Sequence, residues 1–166
     1  MNDTRHIKGL SKLGSALQQI PAKYEKNILR GALRAGAKPV EADVKLNIWE
    51  DTGEMKSGVK ISTSSKGGKV IAKVRVTGKH AHIAPWLEFG VAAHRIVAKK
   101  GGWLFTGNGF AKSVNHPGIP SRPVFRPALY GQATIAVLAA AEYSKKRLAM
   151  KHGIDTSDIE FTTEDA

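Results

Sequence analysis

Few residues in this chain have types and spacing that could do chemistry. Four histidines, His80, His82, His94 and His116, are the candidate metal ligands. His80 and His82 alternate, so on a strand they would share a face. The chain has no cysteine to assist them, and no helical His-Glu-x-x-His pattern occurs. Exposed loop histidines are the better reading, and no metal site is expected. Asp43, Glu50, Asp51 and Glu54 cluster around a helix exit. General acid–base work needs two carboxylates held in a pocket with displaced pKa values. Nothing in the sequence builds that pocket, so Glu50, Asp51 and Glu54 read as capping and solubilising. Glu88 differs, because it lies between Trp86-Leu87 and Phe89. Partial burial is expected there, and a partly buried glutamate needs a cation. Arg122 or Arg126 is the natural partner. A structural ion pair is therefore expected in preference to catalysis. The turns Lys66-Gly67-Gly68-Lys69 and Gly107-Asn108-Gly109 do not follow a strand and open a helix, as a phosphate-cradling loop must. No serine-centred nucleophile elbow is present. The chain is expected not to be an enzyme and to need no cofactor.

The stretch that does stand out runs from Pro85 to Leu129. It begins Pro85-Trp86-Leu87-Glu88-Phe89-Gly90 and ends with Arg122-Pro123-Val124-Phe125-Arg126-Pro127-Ala128-Leu129. Pro117, Pro120, Pro123 and Pro127 fall within eleven residues. Each lacks a backbone donor and has a locked φ, so they cannot all sit inside helices or central strands. With Arg and Phe interleaved, the segment reads as a stiff connector suited to docking.

The elements around it follow from periodicity. Leu10, Leu13, Leu17 and Ile20 make one helical stripe, weakened by Gly9 and Gly14. Residues 1–20 read as an arm needing a partner surface, with Pro21 as separator. Residues 22–47 form a stronger helix, with Ile28, Leu29, Ala32, Leu33, Gly36, Val40 and Val44 at helical spacing. Pro39 should kink or divide it. The small residues Gly31, Ala32, Ala35, Gly36 and Ala37 would let another backbone approach closely. Asp51-Thr52-Gly53 punctuates the chain. Residues 58–64 and 70–77 read as strands joined by Ser65-Lys66-Gly67-Gly68. Val70, Ala72, Val74 and Val76 face one way in the second, implying one buried face. Residues 83–90 read as a short helix ending at Gly90. His94–Ala98, Trp103–Thr106 and Phe110–Val114 read as a β-ribbon with a basic, glycine-rich, mobile tip. Ala128 to about Met150 reads as one helix with Pro127 in its first turn and Gly153 as its stop. The fold class is α+β: a small antiparallel sheet with a long kinked helix and a C-terminal helix packed on it, plus ribbon and arm. The organisation expected is arm 1–20, main domain 21–152, and an acidic, disordered tail 153–166.

A chain of 166 residues with 42% apolar content suits one domain with a modest core. The net charge is +12 and is segregated. Residues 153–166 carry Asp155, Asp158, Glu160, Glu164 and Asp165 and no Lys or Arg, so all 26 basic residues lie before them. Such a body should attract polyanions or acidic protein surfaces. No apolar run follows the N-terminus, so no signal peptide is seen. No stretch approaches the roughly 20 apolar residues of a membrane helix. A soluble, non-secreted chain without a membrane partner is expected.

Several pieces together resemble the head–tail joining or tail-completion proteins of long-tailed bacteriophages, the group that includes the lambda minor tail protein Z type. In family order they are the basic, alanine-rich helix Leu29–Val40; Asp51-Thr52-Gly53-Glu54-Met55-Lys56-Ser57; a strand ending Val76-Thr77-Gly78; Ala84-Pro85-Trp86-Leu87-Glu88-Phe89-Gly90; His116-Pro117-Gly118; and Arg122–Leu129. Val91 stands where the family usually has Thr, and Gly58-Val59 where Ser-Ile is usual. The resemblance implies a structural virion protein of the tail or neck. It implies a ring, commonly of six subunits, around the channel through which DNA leaves the capsid. Its partners would be further copies, neck or connector proteins, tail-terminator and tail-tube proteins, and DNA in the channel. It would be assembled in the host cytoplasm. Trp86, Glu88, Phe89, Gly90, Arg122, Pro123, Phe125, Arg126 and Pro127 would serve assembly. The rival readings are a basic nucleic-acid-binding protein acting without ring assembly, and a hydrolase of nucleic acid or peptidoglycan.

Overall fold

The computed structural model describes residues 6–20, 22–49 and 53–164. Pro21, the carboxylates Glu50 and Asp51, Thr52 and the first five residues of the arm lie outside the described residues.

One helix organises the rest. After β1 (His6–Ile7) and α1 (Leu10–Gln18), α2 runs unbroken from Ala22 to Asn47. Pro39 does not divide it. The proline removes one donor to the carbonyl four residues back, and the surrounding turns hold the helix together. Ile28, Ala32, Gly36, Val40 and Val44 are buried along one stripe, while Arg30, Arg34 and Lys38 are exposed. That is the amphipathic pattern expected of a helix with one face on a core.

The stripe serves two cores, one toward each end of α2. Toward its C-terminal end it meets α3 (Glu54–Gly58) and a hairpin of β2 (Val59–Lys66) and β3 (Lys69–Val76). The hairpin is antiparallel, pairing Val59 with Val76 and Lys66 with Lys69 across a Gly67-Gly68 turn. Both glycines take positive φ, as such a two-residue turn demands. Val40, Val44, Ile48, Met55, Val59, Val76, Ala84 and Ala128 form this core. Here α4 (Ile83–Phe89) and α5 (Phe125–Gly131) join it. Between them lies a ribbon of β4 (His94–Val97), β5 (Leu104–Phe105), β6 (Phe110–Ala111) and β7 (Ser113–His116). The strand expected over 94–98 pairs with 113–116, not with 103–106; a second, smaller pairing of β5 with β6 is nested toward the tip.

The C-terminal helix begins earlier than its sequence suggests, and it is interrupted. Instead of one helix from Ala128, α5 ends at Gly131 and α6 spans Ala133–His152. Gln132 leaves helical geometry, at φ −100° and ψ 6°. The hydrogen-bond ladder nonetheless crosses the break, from Gln132 N–H to the Ala128 carbonyl and from Ala136 N–H to the Gln132 carbonyl. Gly153 stops α6 in the left-handed region at φ 62°.

Helix α6 lies along α2, the largest contact in the fold. The small residues make this possible. A Cβ on Gly36 would stand 2.5 Å from the Ala136 carbonyl oxygen and 3.2 Å from the Ala140 Cβ. Backbone cannot yield as a flexible side chain can, so Gly36→Val forces the helices apart. A loss of about 1–3 kcal/mol is expected, read as a lowered urea midpoint with an unchanged slope.

The second core corrects two expectations. Leu13, Ala16 and Leu17 of α1 are buried with Ile28, Ala141, Leu148 and Ile159. The apolar face of the arm is therefore covered by its own chain. The acidic tail, expected to be disordered, is packed over its described part, 153–164. Ile159 and Thr156 are buried. Lys145 Nζ donates to the Ile159 carbonyl at 2.5 Å, and Lys12 Nζ to the Asp158 carbonyl at 3.2 Å. β8 (Thr163–Glu164) pairs antiparallel with β1. Ile154, Ile159 and Phe161 explain the order: three apolar side chains sit within a composition otherwise typical of solvated chain.

Candidate assembly site

The Pro85–Leu129 stretch closes on itself at Glu88. This side chain is 5% exposed, in a helix otherwise amphipathic. Its Oε2 accepts the backbone N–H groups of Val124 at 2.7 Å and Phe125 at 2.9 Å. Its Oε1 accepts the backbone N–H of Arg126 at 3.0 Å and the Arg126 Nε at 3.1 Å. A carboxylate offers about four acceptor positions, and these four donors fill them. Three of the donors are the free N–H groups that open α5, so Glu88 caps that helix from 36 to 38 residues away. The Arg126 guanidinium also donates to the Glu88 carbonyl at 3.2 Å and lies over the Phe89 ring, 5.0 Å from its centroid. Burial pushes the Glu88 carboxyl up, but the Val124, Phe125 and Arg126 hydrogen bonds outweigh it and hold the group below its ordinary range.

Of the two cations expected beside Glu88, the structure puts Arg126 there. Arg122 contributes only its backbone, donating its N–H to the Leu87 carbonyl at 2.6 Å. Gly90 ends α4 at φ 74°, and a Cβ there would stand 2.9 Å from the Ile119 carbonyl oxygen. Val91 and Ile119 then exchange two backbone hydrogen bonds of 2.9 Å. The ribbon thus leaves and re-enters through one clamped neck. Sequence reading missed the capping role, because donors from backbone N–H groups carry no side-chain signature.

The other nominated residues lie on the outside of this clamp. Phe89, Trp86, Pro123 and Pro127 are exposed, and Phe125 is half-buried against the first core. Full burial of Phe125 would predict a loss near 3–5 kcal/mol on truncation. Half-burial lowers the expectation for Phe125→Ala to about 2–3 kcal/mol, measurable by chemical denaturation. A pocket of about 180 Å³ beside the clamp is lined by Asn47, Trp49, Met55 and Arg122. An open apolar groove of about 480 Å³ lies among α2, β3, α5 and α6, lined by Leu33, Val74, Leu129 and Val137.

The ribbon exposes large apolar side chains. Trp103 is 60% exposed, and Phe105 and Phe110 are 71% exposed each. Phe105 packs on Phe110 with ring centroids 5.5 Å apart, and the Lys112 ammonium sits 4.6 Å from the centre of the Trp103 ring. The ribbon strands contact one another far more than any helix.

The fold does not gather the four histidines in one place. His80 Nε2 pairs with Glu54 at 2.5 Å, and His82 meets the edge of Trp86. His94 and His116 stack across the ribbon at 5.1 Å. Among the described residues, no three His, Cys, Asp or Glu side chains are grouped to hold a metal ion. Asp43 accepts from Asn47 on its own helix, and Glu54 is engaged with His80. No described helix is long and apolar enough to cross a membrane.

Residues 11–90 match the family model described as Bacteriophage HK97-gp10, putative tail-component. The match covers α1 to the end of α4 and includes Glu88 and Gly90. It is consistent with the resemblance to tailed-phage head–tail and tail proteins, and it supports a structural role as a phage tail component. A virion location, other tail proteins as neighbours and a non-enzymatic role accord with it. No curated protein and no solved structure matches the chain. The other half of the clamp, Arg122–Arg126, lies beyond the matched residues.

Proposed function

We propose that this tail component is a ring-forming subunit that completes the end of the tail and joins it to the head around the DNA channel. One observation carries the reading: a ribbon with three exposed aromatic side chains projects from a neck held rigidly by Glu88. Large exposed apolar side chains on a braced projection are the mark of a surface made to be covered. The residues flanking the neck, Trp86, Phe89, Pro123 and Pro127, extend that surface to the body of the subunit. Leu13, Ala16 and Leu17 of α1 are buried by their own chain, which leaves the ribbon as the reaching element. Six copies is the number the family resemblance implies. Connector, terminator or tube proteins would stack on the two ends of the ring, and DNA would pass through it.

Light scattering and negative-stain microscopy of the purified full chain test this. Rings of uniform diameter are the expected result. A chain that stays monomeric across the accessible concentration range, alone and with cross-linker, overturns the proposal.

A further inference from the structure

The segregation of charge has a structural counterpart. Residues 91–119, which hold the ribbon, carry Arg95, Lys99, Lys100 and Lys112 and no Asp or Glu. Residues 153–166 carry five acids and no Lys or Arg. In the fold these two segments belong to opposite ends of α2. The ribbon is rooted at the clamp, in the core built on Val40, Val44 and Ile48, whereas the tail packs on α1 and α6 in the core built on Ile28. Ile28 and Val44 are separated by roughly 24 Å of helix. The tail is held in place by Lys145, which donates to the Ile159 carbonyl, and by Lys12, which donates to the Asp158 carbonyl and pairs with the Asp158 carboxylate at 3.5 Å. Asp155 and Glu160 are left exposed to solvent beside that pair. A projecting cationic ribbon and an ordered anionic edge are therefore displayed by the same molecule at different places.

We propose that the basic ribbon of one copy docks on the acidic C-terminal edge of the next copy. The contact is heterologous, joining two different patches, so repetition generates a ring where the rotation closes. It deepens the ring reading and rests on it. Charge complementarity selects this partner and fixes its register. Trp103, Phe105 and Phe110 supply the apolar centre, and Met150, exposed in the last turn of α6, offers an apolar neighbour beside the tail. A nucleic acid would also answer the ribbon's charge, but it would leave the ordered acidic edge without a role. Equivalent ribbons drawn together in a ring would repel one another unless each met an acidic surface.

The test is a charge exchange in the full chain, with assembly followed by light scattering and cross-linking at low and raised salt. Lys99→Glu with Lys100→Glu reverses the ribbon, and Asp155→Lys with Glu160→Lys reverses the edge while leaving the Lys12–Asp158 pair intact. Circular dichroism confirms that each variant is folded. Each pair alone is expected to raise the concentration of half-assembly on the order of 100-fold, and the chain carrying both pairs to recover to within about 10-fold of the parent. Assembly of the parent should weaken as salt rises. Rings that form equally well in every variant overturn this contact and leave the ring reading standing. A ribbon variant that assembles normally but loses duplex DNA binding assigns the ribbon to DNA and also overturns it. Absence of recovery in the combined variant overturns it as well. A parent that never assembles removes the ring reading itself, and this contact with it.

Discussion

Glu88→Ala lowers the stability of the folded chain by about 3–5 kcal/mol, because three backbone donors lose one ionised acceptor at once. The size follows from what is left behind. The backbone N–H groups of Val124, Phe125 and Arg126 lose their acceptor together, and they lie in a part-buried junction. Hydrogen bonds to an ionised group are worth about 1.5–3 kcal/mol each, but these three share one carboxylate and are not additive. The Arg126 side chain contributes less, because it is itself exposed and solvent screens it. Glu88→Gln keeps an acceptor oxygen and loses the charge, so a smaller loss of about 1–3 kcal/mol is expected. Its pH dependence separates charge from shape. The folded carboxyl titrates below the unfolded one, so its contribution is fully present above the unfolded value and fades as pH falls through the folded value. The gap between the parent and Glu88→Gln should be widest at neutral pH and narrow on acidification. A gap constant from pH 7 to pH 3 in urea denaturation contradicts the electrostatic account. Because Glu88 also closes the neck of the ribbon, amide exchange at Val91 and Ile119 should accelerate in both variants.

Leu148→Ala is expected to cost about 2–5 kcal/mol. Leu148 is 0% exposed and lies in the core shared by α1, α2, α6 and the tail. Leu13 and Leu17 of α1, Ile28 of α2 and Ile159 of the tail all belong to that core, on three separate stretches of chain. A cavity there loosens the arm and the tail together, since neither has another core to join. Hydrogen exchange or limited proteolysis should show both segments opening in the variant while the hairpin β2–β3 stays protected. If the arm opened and the tail did not, the two would not be one cooperative unit.

Much of this molecule could be read directly from its residues. The stripe of α2, the alternation of β3, the two-residue Gly67-Gly68 turn and the positive-φ stops at Gly90 and Gly153 are local patterns, set by neighbours in sequence. The close approach of α2 and α6 was visible in the run of small residues at Gly31–Ala37, although not which helix would come. The resemblance carried the phage-tail reading, and the family match over residues 11–90 agrees with it.

Other features depended on partners distant in the chain. The start of α5 at Phe125 is fixed by a carboxylate 37 residues earlier, and a helix terminus satisfied from so far away leaves no local capping signal. The pairing of β4 with β7 was chosen by the Glu88 clamp and the Val91–Ile119 hydrogen bonds that bring the ends of the ribbon together. The arm and tail became ordered because each covers the other's apolar side chains, a gain that neither segment shows when read alone. Local periodicity determined which elements this chain would form. Long-range burial and hydrogen bonding, which depend on three-dimensional proximity, decided where they begin, which strands pair and which surfaces remain for a neighbour.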